Sequence, residues 1–162
     1  MAEFGKTMAL FLSTYTNKVD KKGRVSVPAS FRAVLASQNF SGIVAYDSFI
    51  NSCIEACGMD RIEKLHEQIE SLDPFSEEHD AFASTILGGS QQLGFDGEGR
   101  VMLPKSMMDE AGITDQAVFV GKGQTFEIWE PKAFEEHMAV ARKLAQEKRS
   151  QLRAAKKSGD EA

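Results

Sequence analysis

The sequence predicts an α+β fold: two tandem repeats whose short strands interleave into a closed β core, with helices packed outside. Three observations lead there. The phrase V-D-K-K-G-R-V-S-V-P at 19–28 returns as F-D-G-E-G-R-V-M-L-P at 95–104, with Asp, Gly, Arg, Val and Pro in register. Internal repetition of this kind sets the architecture before any single element does. The residues around each phrase replay one order: strand, turn, strand, short helix, strand, strand, then helix. Finally, half of a 162-residue chain is small for a self-sufficient core, and four short strands cannot bury both faces of a sheet alone. The turns are hairpin turns, too short for parallel crossovers, which separates this pattern from α/β.

Each element has a local reason. Residues 1–10 read as a flexible N-terminus. Leu10–Val19 is polar enough for an edge strand, with Tyr15, Asn17 and Val19 on one face. Lys21-Lys22-Gly23 makes a tight turn, and Arg24–Val27 alternates as a strand should. Pro28 suits the first turn of a helix striped by Phe31, Val34 and Leu35. Ile43–Tyr46 and Cys53–Cys57 are further strands, completing a first repeat over 11–58.

Linking helices occupy 59–87. Asp60 can cap the first, whose Ile62, Leu65, Ile69 and Leu72 recur at helical spacing until Asp73-Pro74 breaks it. Ser76, with Glu77 and Glu78, opens another that ends near Gly88-Gly89. The second repeat, 88–131, contains strands at Gln91–Phe95, Arg100–Leu103, Ala117–Val120 and Phe126–Trp129. Its short helix, Pro104–Ala111, is closed by Gly112. Pro131 then starts a C-terminal helix over 132–155, with Phe134, Met138, Ala141 and Ala145 on one face, and 156–162 reads as a frayed tail.

The composition is that of a globular protein, 42% apolar and 27% charged, and no apolar run approaches the roughly 20 residues that span a bilayer. Neither a secretion signal nor a membrane partner is expected, so the chain reads as cytoplasmic. Cys53 and Cys57 form a lone Cys-x3-Cys with no second pair, a poor zinc site, and read as packing residues. His66, His79 and His137 lack ligand neighbours at metal spacing. Gly121-Lys122-Gly123 lacks the remaining residues of a phosphate loop and reads as a hairpin turn. No catalytic group, metal, cofactor or small-molecule substrate is expected.

The repeated phrase has its own chemistry. Asp20 and Asp96 can accept backbone N–H bonds from the turn they head. Gly23 and Gly99 supply the positive φ that such a loop requires. Arg24 and Arg100 can pair with the aspartates across the loop. On that basis both hairpins could be purely structural. The charges differ between copies, however. From 17 to 32 the first carries Lys18, Lys21, Lys22, Arg24 and Arg32 against Asp20; from 93 to 108 the second has Arg100 and Lys105 against Asp96 and Glu98. A two-stranded ribbon fits the DNA major groove, where Arg bonds guanine and Lys neutralises phosphate. The net charge of −5 is thus less informative than its distribution. Arg142–Lys157 is also basic, either a solvated helix face or an auxiliary phosphate contact.

Two D-x-x-x-R motifs, each followed by an apolar residue, Pro and a short helix, resemble the MraZ family. The similarity runs from about Phe11 to Trp129 and includes L-G-F-D-G-E-G-R-V-M-L-P and V-F-V-G-K-G-Q-T-F-E-I-W. It implies two tandem AbrB-like swapped-hairpin repeats. It further implies a transcription regulator, cytoplasmic and nucleoid-associated, forming a closed homo-oligomeric ring. Its partner would be double-stranded DNA, as tandem G-rich promoter repeats upstream of the division and cell-wall gene cluster. The motif positions are Asp20, Arg24, Asp96 and Arg100. A ring-shaped protein-interaction scaffold with merely structural hairpins is the alternative, and the load of Lys21, Lys22 and Arg24 on one tip argues against it.

Overall fold

The computed structural model describes residues 9–161, with side chains through 155. The expected flexible N-terminus falls mostly on 1–8, and the frayed tail on 156–162; residues 1–8 and 162, and the side chains of 156–161, lie outside the described residues. Two compact units divide between Pro131 and Lys132.

The first unit is α+β. In chain order it contains β1 (Thr14–Lys18), β2 (Arg24–Ser26), α1 (Ala29–Leu35), β3 (Gly42–Asp47), β4 (Ile54–Cys57), α2 (Met59–Glu70), α3 (Glu77–Phe82) and a π-helical turn, Ala83–Leu87. Then come β5 (Gln91–Gly94), β6 (Arg100–Met102), α4 (Lys105–Ala111), β7 (Gln116–Gly121) and β8 (Phe126–Trp129). The second unit is helical, formed by α5, which begins at Pro131 and runs to Glu147, and α6 (Arg149–Glu161).

Strands from the two repeats interleave, a same-repeat pair from each lying between the edge strands. The six-stranded antiparallel sheet has the order β1-β7-β8-β4-β3-β5, and β2 pairs β6 in a separate ribbon. Only β3·β4 and β7·β8 pair within a repeat; β1·β7, β3·β5, β4·β8 and β2·β6 all pair across. The ribbon register is self-complementary: Arg24 faces Met102, Val25 faces Val101, and Ser26 faces Arg100. An internal two-fold therefore passes between the two valines. The ladder does not close into one unbroken ring of strands. Instead β1 and β5 end the sheet, and each runs through a hairpin tip into the ribbon.

Alternation explains which side chains go in. Val25, Val27, Val101 and Leu103 are buried, while Ser26 and Met102 between them are exposed. Phe31 and Leu35 of α1, and Met107 and Ala111 of α4, join these in the core. Phe31 is the centre of an aromatic cluster whose ring centroids lie 5.3 Å from Phe11 and 4.9 Å from Phe126. Since Phe31 belongs to the first repeat and Phe126 to the second, the core itself is shared.

The helix ends show where local reading succeeds and where it does not. Gly112 closes α4 with φ of +71°, and Ser76 caps α3 by accepting from the His79 N–H at 3.1 Å. Asp60 does not cap α2. Gly58 holds that position, and the Asp60 N–H is satisfied by Gln38 Oε1 at 3.0 Å. Asp60 sits instead in the first turn, where its charge suits the positive helix end. The helix expected to continue to Gly88-Gly89 widens at Ala83, with the Gly88 N–H reaching the Ala83 carbonyl at 2.9 Å. There Ile86 is buried with Tyr46 and Ile69 in a second, smaller core.

Candidate nucleic-acid interface

Both hairpin tips are built to the same plan. Asp20 Oδ1 accepts from the N–H groups of Lys22 and Arg24, each at 2.9 Å, and Oδ2 accepts from Arg24 Nε at 2.6 Å. Gly23, at φ +86°, donates to the Asp20 carbonyl at 3.0 Å. In the second tip, Asp96 Oδ1 accepts from Glu98 N at 2.9 Å and Arg100 N at 3.0 Å, and Oδ2 from Arg100 Nε at 2.9 Å. Gly99, at φ +76°, donates to the Asp96 carbonyl at 3.1 Å. A residue with a Cβ would be strained at either glycine.

These bonds favour the ionised aspartates. The Arg24 N–H chiefly, then the Arg24 guanidinium, hold Asp20 below its ordinary 3.8; the Arg100 N–H leads the same effect at Asp96. In return, the Asp96 carboxylate raises the Arg100 pKa. Each Asp occupies only the Nε of its arginine. The terminal nitrogens of Arg24 have no partner among the described residues, whereas Arg100 Nη2 lies 3.4 Å from Glu98 Oε2.

The ribbon brings both arginines to one place. Because residues two apart share a face, Arg24, Ser26, Arg100 and Met102 all point away from the buried Val25 and Val101. Arg24 and Arg100 stand diagonally across the internal two-fold, with Cα atoms about 7–8 Å apart. A cleft of about 340 Å³ beside them is lined by Lys18, Asp20, Lys21, Arg24, Ser26 and Arg100. Lys22 and Gly23 line a neighbouring cleft together with Lys105, Asp109 and Asp115.

Counting charge by sequence window misassigns two cations. Arg32 follows the first motif in sequence, yet its guanidinium lies against Gly99 of the second tip. Lys105 follows the second motif, yet it lines the cleft of the first tip and pairs with Asp109 at 3.1 Å. The cause is the exchange of partners between repeats: each short helix lies against the other repeat's hairpin. The repeated phrase is the trace of this in the sequence: it allows pairing across an internal two-fold but does not say which neighbours are exchanged.

The remaining candidates have other environments. Cys53 and Cys57 are buried and free; burial pushes the Cys57 thiol up to about 12 and the Cys53 thiol further. His79 Nε2 lies 3.4 Å from Glu70 Oε1. Gly121-Lys122-Gly123 leads from β7 to β8, with the Lys122 N–H on the Thr125 carbonyl at 2.9 Å. Among the described residues no group of three or more His, Cys, Asp or Glu could hold a metal ion. No helix among them is long and apolar enough to cross a membrane.

Comparison with known proteins gives one consistent result. The family model described as "MraZ protein, putative antitoxin-like" matches residues 10–82 and again 86–155. A protein named Transcriptional regulator MraZ from Rickettsia bellii (strain OSU 85-389) is 60% identical over 147 residues, covering 90% of this chain and 98% of the relative. Proteins of the same name from Rickettsia akari (strain Hartford) and Rickettsia canadensis (strain McKiel) are 59% and 60% identical over 146 residues, with the same coverage. Two matching halves, each with an Asp-x-x-Gly-Arg tip, and relatives similar along nearly their whole length place this chain in the MraZ family.

Proposed function

We propose that this protein is a sequence-specific DNA-binding transcriptional regulator that reads base edges with its ribbon. The observation that carries the reading is Arg24. Its Nε is fixed by Asp20, its terminal nitrogens are unpaired, and Lys18 and Lys21 line the same cleft. A guanidinium oriented in this way is suited to guanine O6 and N7, with lysines placed for phosphates on either side. The name carried by the Rickettsia relatives, Transcriptional regulator MraZ, supports the same reading. On this reading the targets are tandem G-rich promoter repeats upstream of the division and cell-wall genes, and the protein is associated with the nucleoid.

Tandem repeats call for several tips held in register, and we extend the reading to a closed ring of identical subunits. Exposed apolar side chains support self-association: Phe75 is 95% exposed, Ile50 73% and Phe49 53%. Phe49 also lines an apolar groove with Leu65, Ile69, Leu72, Phe82 and Ile86. A contiguous apolar groove is the kind of surface that contact sites use.

The test is a gel shift with duplex from the protein's own upstream region, against a duplex with its G positions replaced. Preference for the G-containing duplex, lost in Arg24→Ala, is the expected result. Equal binding to both duplexes, or none to either, would remove the sequence-specific reading.

A further inference from the structure

We infer that Arg32 is a preset contact for a DNA phosphodiester, belonging to the second hairpin although it is encoded in the first repeat. The inference rests on the DNA-binding reading above and extends it to a residue outside both D-x-x-x-R motifs. Arg32 is half-buried on α1, and its Nε donates to the Val27 carbonyl at 3.0 Å. A Cβ built on Gly99 would lie 2.6 Å from Nη1 and 2.8 Å from Cζ, so the guanidinium fills the space that a side chain at 99 would take. It is therefore fixed by the Val27 carbonyl and packed in the space beside Gly99. Its Nη1 and Nη2 nonetheless have no hydrogen-bond or ion-pair partner among the described residues.

A guanidinium with a pinned Nε and two unpaired terminal nitrogens is a preorganised fork, the geometry that binds phosphate oxygens in pairs. Charge at the tip gives the fork a purpose. Arg100 is engaged by both Asp96 and Glu98, which leaves that tip with one excess negative charge of its own. Beside a DNA backbone it would be repelled, and Arg32 is the cation that offsets the excess. The first tip has no such need, since it carries Lys21 and Lys22. There the repeat-related position is Met108, whose Sδ lies 3.5 Å from the corresponding point on Gly23.

Met108 also supplies the test. Arg32→Met puts the side chain of one repeat into the other, keeping an unbranched group over the glycine while removing the charge. Binding to a duplex from the upstream region is titrated across a salt series, with a scrambled duplex alongside. The expected result is a salt slope lowered by about 0.9 for each subunit engaged. Affinity should fall by a similar factor on both duplexes, since a phosphate contact carries no sequence information. Arg32→Gln, which can still donate towards the Val27 carbonyl, takes its place should Arg32→Met melt early. An unchanged slope and affinity in a folded variant overturns the inference, as does a loss confined to the upstream-region duplex. Binding abolished by Arg24→Ala yet untouched by Arg32→Met would overturn this inference alone. A parent protein that binds no duplex would overturn the DNA reading and this inference together.

Discussion

At the scale of single residues, the two motif arginines look alike but are not equally available. Arg24 uses only Nε internally, while Arg100 also faces Glu98. Arg24→Ala should cost about 1–3 kcal/mol of DNA binding and flatten the preference for guanine. Arg100→Ala should cost less, since its fork is already committed. Titration of both variants against one labelled duplex decides this, and equal losses would refute the asymmetry. The aspartates support a prediction about acid. Both are held below 3.8 when folded and return to about that value when the tip opens. Their stabilisation is therefore complete above the unfolded value and lost as pH falls through the lower folded one. Asp20→Asn combined with Asp96→Asn should melt earlier at neutral pH and show a flatter decline below pH 3.8. Melting curves that decline with acid as steeply as the parent's would show that the carboxylates contribute nothing.

At the scale of elements, α1 has an outsized share of the core for its seven residues. Phe31 is fully buried and touches aromatic rings from both repeats, including Phe126 at 4.9 Å and Phe119 at 6.5 Å. Truncating it leaves a cavity between elements that are pinned by their ladders and cannot collapse. Phe31→Ala should destabilise by about 3–5 kcal/mol in urea denaturation. A loss below about 1 kcal/mol would show that the cluster repacks. The tips behave differently, being shaped chiefly by side chain-to-backbone bonds and two left-handed glycines. This is why tip geometry could be read from Asp, Gly and Arg alone.

At the scale of the whole molecule, stability is not divisible by repeat. Four of the six ladders run between repeats, and each repeat contributes one ladder of its own, besides the short bonds at its tip. Isolated two-stranded hairpins are marginal in water. A fragment ending after β4 should therefore be unfolded by circular dichroism, and should gain structure only when mixed with the complementary fragment. A cooperative melt of the first repeat alone would contradict the interleaved core. The proposed ring is tested separately: light scattering should give a multiple of the 17.8 kDa chain mass. A monomer at micromolar concentration would dismiss the ring while leaving the fold untouched.

The sequence by itself determined the repeat, the α+β class, every strand to within a few residues, and the turn geometry of the tips. Those properties are local: alternation, a turn glycine and an Asp–Arg pair four apart act over a handful of neighbours, and writing them twice makes the repeat visible. Asp60 shows the limit of local reading, since whether a carboxylate caps a helix depends on what else reaches the amide, and here Gln38 arrives from another part of the chain. The widening at Ala83 has a similar origin in the burial of Ile86 against Tyr46 and Ile69. Tertiary structure alone decided that Arg24 and Arg100 share one face and that Arg32 lies against the opposite tip. The reason is strand exchange: pairing between repeats places side by side residues far apart in sequence, and no pattern within one repeat encodes that distance.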